Sequence, residues 1–201
     1  AFQTLVDIWD CYDTADRTGF DGPLLDRIDR AAEIGGPSDA RRAVAHRVRT
    51  FTLLRLGRLQ EAAEVGERGL QLAAASSSWQ TQTEIAQGVA GAWHSLGDPG
   101  RGLNLMRRLL PDVERIEGQP GSKGSYYLDM AAMLSAMDRP AEAVAYQERG
   151  VALALEDGNV EHAAMGRTNQ SFTLLTLGRP ERALEMLRDA ERLLAISDAA
   201  E

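Results

Sequence analysis

An internal repeat constrains this chain more than any other feature. The segment Leu56-Gly57-Arg58-Leu59-Gln60-Glu61-Ala62 returns as Leu96-Gly97-Asp98-Pro99-Gly100-Arg101-Gly102, as Met137-Asp138-Arg139-Pro140-Ala141-Glu142-Ala143 and as Leu177-Gly178-Arg179-Pro180-Glu181-Arg182-Ala183, at spacings of 40, 41 and 40 residues. Phe51-Thr52-Leu53-Leu54 likewise returns as Phe172-Thr173-Leu174-Leu175, 121 residues later, three of those periods. A unit this short cannot bury its own apolar face, so the copies must stack on one another to make a continuous core.

Each period reads as two helices joined by a tight turn. Ahead of the turn, Val44, Val48, Phe51 and Leu54, or Tyr127, Met130, Ala131 and Leu134, recur at three and four residues, the spacing of an amphipathic helix. Gly57, Gly97, Asp138 and Gly178 then stop the first helix, because glycine enters the left-handed conformation without steric cost and Asp tolerates it better than most residues. Pro99, Pro140 and Pro180 stand at the start of the second helix, where a missing N–H leaves no bond unmade. Ala62 and Gly69, Gly102 and Leu109, Ala143 and Gly150, and Ala183 and Ala190 lie seven apart on one face. All but Leu109 are small enough to let a neighbouring helix approach closely.

Composition agrees with helices. Aromatics are 5% of a chain dominated by Ala, Leu, Arg and Glu, which starves a β-sheet of its usual residues. No apolar run is long enough to span a bilayer and no signal peptide opens the chain, so the expectation is a cytoplasmic protein with no membrane partner. A balance of 22 basic against 30 acidic residues, net −8, argues against direct contact with nucleic acid. The one cysteine, Cys11, excludes an internal disulfide and a multi-cysteine metal site.

The repeat resembles the tetratricopeptide family. The resemblance rests on Gly57, Ala62 and Gly69; on Val89, Ala90, Trp93, Gly97 and Gly102; on Tyr127, Met130, Ala131, Leu134, Ala143 and Gly150; and on Leu174, Gly178, Ala183 and Ala190, over residues 39–196. The repeat is longer than the family's usual length, as in bacterial regulatory proteins of this kind. His46, Arg49, Arg167 and Gln170 stand where the family prefers large apolar residues. The resemblance implies an all-α fold, a right-handed α–α superhelix of about five helix pairs. It makes residues 1–201 a single solenoid domain, with a degenerate first pair over 1–38 and repeats over 39–78, 79–120, 121–158 and 159–201. In that first pair Phe2, Leu5, Val6, Trp9 and Tyr12 share one apolar face, and Leu24, Leu25, Ile28, Ala31 and Ala32 make a second.

No constellation of catalytic, cofactor-binding or metal-ligating residues is legible. His46, His94 and His162 each lack a second ligand at helical spacing. Gly121-Ser122-Lys123-Gly124-Ser125 lacks the order of a phosphate loop and reads as a flexible connection. Asp7, Asp10, Asp13 and Asp16 share one side of the first helix and read as a solvated face, with Cys11 packed beside them.

The fold resembled binds along a concave wall made mainly of first helices. Counting back from each turn gives a partner-binding groove in three columns: Arg47, Gln87, Leu128 and Thr168; Phe51, Gly91, Ala132 and Phe172; Leu54, His94, Ser135 and Leu175. Gly91 and Ala132 between two phenylalanines would leave a trough for a peptide, unless Phe51 and Phe172 fill the inner core instead. Phe51 replaces an asparagine, and no lysine lines the groove, so the family's clamp for acidic C-terminal tails is not expected.

The expected function is therefore a protein–protein interaction module rather than an enzyme, without cofactor or metal. It would be the regulatory or sensory part of a larger bacterial signalling or transcription-regulating protein, its output domain lying outside these residues. The alternative is a stand-alone peptide or small-ligand receptor. Leu184, Leu187, Leu193, Leu194 and Ile196 leave the last helix with much apolar surface, which suits a homodimer through a terminal repeat.

Overall fold

The computed structural model describes residues 38–115 and 118–198, with isolated positions 26, 27 and 30 ahead of them. The first helix pair expected over 1–38, with its two apolar faces, the four aspartates and Cys11, lies outside the described residues apart from those positions and Ser38. Among the described residues there are eight α-helices and no strand: α1 (Asp39–Arg55), α2 (Leu59–Ala75), α3 (Trp79–Ser95), α4 (Pro99–Arg115), α5 (Pro120–Ala136), α6 (Pro140–Glu156), α7 (Val160–Thr176) and α8 (Pro180–Asp198). No helix among them is long and apolar enough to cross a membrane.

The structural period is half the sequence period. Residues of positive φ fall at Gly57, Ser77, Gly97, Gly118, Asp138, Gly158 and Gly178, at successive separations of 20, 20, 21, 20, 20 and 20 residues. Each follows a helix of 17 residues. The turns within pairs and the turns between pairs are therefore closed by the same device. At the first, the Gly57 N–H donates to the Leu54 carbonyl at 3.0 Å and the Arg58 N–H to the Leu53 carbonyl at 2.9 Å. That double bond satisfies two carbonyls the helix end would otherwise orphan. The same pair of bonds recurs at Ser77 and Ser78, Gly97 and Asp98, Asp138 and Arg139, Gly158 and Asn159, and Gly178 and Arg179.

The residue that closes one helix also opens the next. Arg58, Ser78, Arg139, Asn159 and Arg179 each donate backward and accept, through their own carbonyl, the first bond of the following helix. Asn159 also caps α7 with its side chain, accepting from the His162 N–H at 3.0 Å. Arg58 and Arg139 make no side-chain cap; instead each forks onto a glutamate in the first turn, Glu61 at 2.7 and 2.5 Å and Glu142 at 2.6 and 2.7 Å. The guanidinium hydrogen bonds hold both carboxyls below the usual carboxylate range. Pro99, Pro120, Pro140 and Pro180 each begin a helix.

The chain divides into two compact units at the Asp98–Pro99 step. In the first, α2 packs on both α1 and α3, and α1 on α3. Leu53, Ala62, Ala63, Val65 and Ala92 are buried together, with Leu54 and Trp93 packed against them. The helices approach closely through glycine: a Cβ on Gly69 would lie 2.6 Å from His46 Cβ, and one on Gly66 2.3 Å from Val89 Cγ2. His46, polar where the repeat would place an apolar side chain, is held by its Nδ1 at 2.9 Å from the Val65 carbonyl.

In the second unit each helix from α4 to α8 packs on the next, and α5 also packs on α7. Tyr126 is fully buried and donates its hydroxyl to the Met106 carbonyl of α4 at 2.9 Å, so the large ring enters the core with its polar end satisfied. Leu128, Val151, Ala154 and Ala163 form a buried cluster against which Leu193 packs. Arg167, another polar departure, bridges from α7 to Asp189 of α8 at 2.8 Å and to Gln170 at 2.9 Å.

Residues 121–125 are helical, correcting the flexible connection expected there. Pro120 starts α5, and Gly124 is where α5 meets α6: its Cβ would lie 2.9 Å from the Gly150 carbonyl, and a Cβ on Gly150 would lie 2.9 Å from the Gly124 carbonyl. Gly124 serves a backbone-to-backbone crossing, and Gly121 faces the Asp157 side chain.

Two predictions follow from this packing. Gly150→Ala should lower unfolding free energy by about 1–3 kcal/mol, because backbone cannot yield to the added carbon. Gly91→Ala, whose Cβ meets nothing within 4 Å, should instead raise it by roughly 0.5–1 kcal/mol through helix propensity; urea titration of the two variants compares them. The second concerns His162, whose imidazole burial pushes below its ordinary value of 6.5. The unfolded chain then binds a proton that the folded one resists, so this contribution is full above 6.5 and is lost as pH falls from there through the lower folded value. The melting temperature should drop on acidification from neutrality, and His162→Gln should flatten that slope.

Candidate functional site

A cleft of about 320 Å3 opens in the second unit. Leu128, Ala132 and Ser135 line it from α5, at spacings of four and three that put them on one helical face. Asp138 and Pro140 come from the turn into α6, and Gln147 from the body of α6. Asn169, Phe172, Thr173 and Thr176 line it from α7.

Burial divides these residues. Leu128 is buried, whereas Phe172 is 63% exposed, more than any other large hydrophobic residue described. Phe172 does not fill the inner core, because its neighbours Ser171, Thr173 and Leu174 occupy the inward positions of α7. Met165 and Leu175 are also about half exposed and share a stripe of α7 with Phe172, being seven residues before it and three after it.

The polar side of the cleft centres on Gln147, which is 3% exposed. Its Nε2 donates to Thr173 Oγ1 at 2.9 Å, and that hydroxyl in turn donates to the Asn169 carbonyl at 3.1 Å. A hydroxyl has one hydrogen, so Thr173 can accept from Gln147 but not donate to it, which fixes the amide orientation. Gln147 Oε1 therefore points elsewhere, and no described protein group donates to it. A buried acceptor left in this state costs about 1–3 kcal/mol.

Leu128, Ser135 and Phe172, with Ala132, are thus brought together among the residues singled out from the sequence. Thr168 stands one turn before Phe172 with its hydroxyl donated to the Ala164 carbonyl at 3.0 Å. Arg47, Phe51, Leu54, Gln87, Gly91 and His94 lie in the first unit. There Arg47 is paired with Glu84 at 2.9 Å, and Leu54 packs on the core. The Phe51 ring lies against Gly88, 3.4 Å from where that residue's Cβ would be. Gln147, Thr173 and Thr176 were not legible, since groove positions were counted on first helices and set to particular columns. A signal was present: Gln147 lies four residues after Ala143 and three before Gly150, a polar residue on the packing face of α6.

Catalytic geometry is not assembled in the described residues. No group of three potential metal ligands converges. Ser125 Oγ stands 3.4 Å from His162 Nδ1 but donates to the Gly121 carbonyl at 3.2 Å, so it is not poised as a nucleophile against that ring.

No protein-family model matches the chain, and no curated protein matches it. Solved structures do, and their common fold is the tetratricopeptide-like helical repeat, which is the fold of this chain. BtubC (BKLC) from P. vanneervenii is 17% identical, with TM-score 0.81 over 98% of this chain and 80% of that one. Bacillus thuringiensis PlcR, solved in complex with the peptide PapR7 and DNA, is 10% identical with TM-score 0.79 over 98% of this chain and 70% of that one. A Podosopora anserina kinesin light chain-like protein with nearly identical TPR-like repeats is 15% identical, with TM-score 0.73 over 97% and 95%.

The Gln147–Thr173 pair is directly testable. Thr173→Val leaves the Gln147 amide with neither partner and should cost about 1–3 kcal/mol, while Gln147→Met added to it should restore most of the loss. Thermal melts of the single and double variants measure the difference.

Proposed function

We propose that the chain is a protein-interaction module, and that the cleft between α5, α6 and α7 docks a peptide or a segment of a partner protein. The observation that carries this reading is Phe172, an aromatic ring 63% exposed at the cleft wall when the rest of α7 buries its inward face. Aromatic anchors of this kind dominate binding energy where a partner covers them. Met165 and Leu175 extend the apolar surface along the helix beyond the cleft, which suits a chain-like occupant better than a compact one.

The finer reading is that residues 1–201 act as the regulatory or sensory part of a larger bacterial regulator. The net charge of −8 supports it, since a segment of this sign is unsuited to touch nucleic acid itself. PlcR, of similar fold, was solved with both a peptide and DNA. A homodimer through α8 is part of the same proposal, because Leu184, Leu187, Leu194 and Ile196 are exposed there.

Selection of phage-displayed random dodecapeptides on the wild-type chain tests the reading. Selected peptides should lose at least about tenfold in affinity on Phe172→Ala, with the helical circular dichroism and melting temperature unchanged. Peptides that bind both proteins equally would place docking elsewhere and overturn it.

A further inference from the structure

We infer that α8 pairs with α8 of a second copy of this chain, antiparallel about a two-fold axis at the level of Asp189, with Leu184 of each copy against Leu194 of the other. This rests on the α8 homodimer proposed above and specifies its orientation and register.

The repeat itself marks the surface. Gly66, Met106, Gln147 and Leu187 stand at one position of the second helix in the four pairs, and Ala73, Val113, Ala154 and Leu194 at another, each set at separations of 40, 41 and 40 residues. In α2, α4 and α6 both positions are buried, because the following first helix lies over them. A Cβ on Gly66 would run into Val89 of α3, the Met106 carbonyl takes the Tyr126 hydroxyl of α5, and Gln147 bonds Thr173 of α7. In α8 the same positions, Leu187 and Leu194, are 37% and 46% exposed, and Leu184 one turn earlier is 48% exposed. Among the described helices α8 packs on α7 alone. It carries the joint face of the repeat, apolar and uncovered.

One residue says what covers it. Between those two positions on the same face stand Leu70 in α2, Leu110 in α4 and Val151 in α6, but Glu191 in α8. Against Val151 the arriving helix brings a glycine: a Cβ on Gly166 would lie 2.6 Å from Val151 Cγ2. A further first helix meeting α8 in that way would set apolar surface on a carboxylate, which is costly unless a cation is brought with it. α8 carries the cation itself, as Arg188, exposed one turn before Glu191.

Orientation follows from spacing. Leu184, Leu187, Glu191 and Leu194 recur at three and four residues, the seam of a paired helix. A parallel pair would put Glu191 on Glu191, like charge against like. An antiparallel pair with Leu184 on Leu194 puts Leu187 beside Glu191 of the other copy. Arg188, the next residue, then reaches that carboxylate, twice by symmetry. The seam from Leu184 to Leu194 is about 15 Å long at the rise of an α-helix, so the dimer is small and reversible, with a Kd of about 1–100 μM.

Sedimentation equilibrium of the full chain from about 5 to about 500 μM tests the pairing. The wild type should dimerise, and Leu187→Glu should weaken association at least about tenfold with the melting temperature unchanged. Glu191→Arg should weaken it at least about threefold, and Arg188→Glu added to it should restore it, a rescue that a parallel pair does not give. Nitroxides on Glu181→Cys, in a Cys11→Ser background, should stand about 25–30 Å apart by double electron–electron resonance, against about 10–15 Å in a parallel pair. Dimers that Leu187→Glu disrupts but that show the shorter distance, or no charge rescue, would overturn this pairing and leave the α8 homodimer standing. Dimers indifferent to Leu187→Glu, or no dimer at about 500 μM, would overturn both, while peptide docking at the cleft is read separately through Phe172→Ala.

Discussion

A backbone reversal through one left-handed residue every 20 or 21 positions is the constraint on which the rest depends. A helix closed in this way has its last carbonyls satisfied within the turn, and the residue after the left-handed one stands immediately before the next helix. Little slack remains between elements, so within each unit consecutive helices lie side by side. The side chains facing each other then have to be small.

Close approach in turn sets the character of the interior. At Gly124 and Gly150 the two backbones are so near that neither residue could carry a Cβ without displacing the other's carbonyl. Alanine and glycine fill such interfaces, and few aromatic residues fit. Buried threonines are tolerated because their hydroxyls bond back to a carbonyl of the previous turn, as Thr50 does to His46 and Thr52 to Val48. Tyr126 is admitted because its hydroxyl reaches the Met106 carbonyl.

Against that background the cleft is a local departure with a consistent direction. Phe172 is large and faces outward where its neighbours are buried. Gln147 is polar and faces inward where the helix around it carries Ala143 and Gly150. Asp138 occupies a backbone conformation that suits glycine. Each residue goes against the local rule at its position, and all three line one cavity.

The helices, their turns and the small-residue faces were legible because they follow from period, propensity and the few residues that accept a left-handed backbone. Gly57, Gly97, Asp138 and Gly178 announced their turns, and the prolines announced the helix starts. Ser77, Gly118 and Gly158 did not, since no common segment surrounds them: Ser77 stands in a run of serines, Gly118 follows Glu117 and Gly158 follows Asp157. The segment 121–125 misled for a related reason: glycine serves both a loop and a close crossing, and only the partner backbone across α6 tells them apart. Leu128, Ser135 and Phe172 could be placed in a groove by counting along first helices. The carbonyl of Gln147 could not, because an unsatisfied acceptor is a property of the whole surrounding network. The sequence by itself determined where the chain turns and which faces are buried, through local backbone preference and helical periodicity. Which buried polar groups find partners was decided by the tertiary structure, because that depends on which side chains from separate helices come within hydrogen-bonding distance.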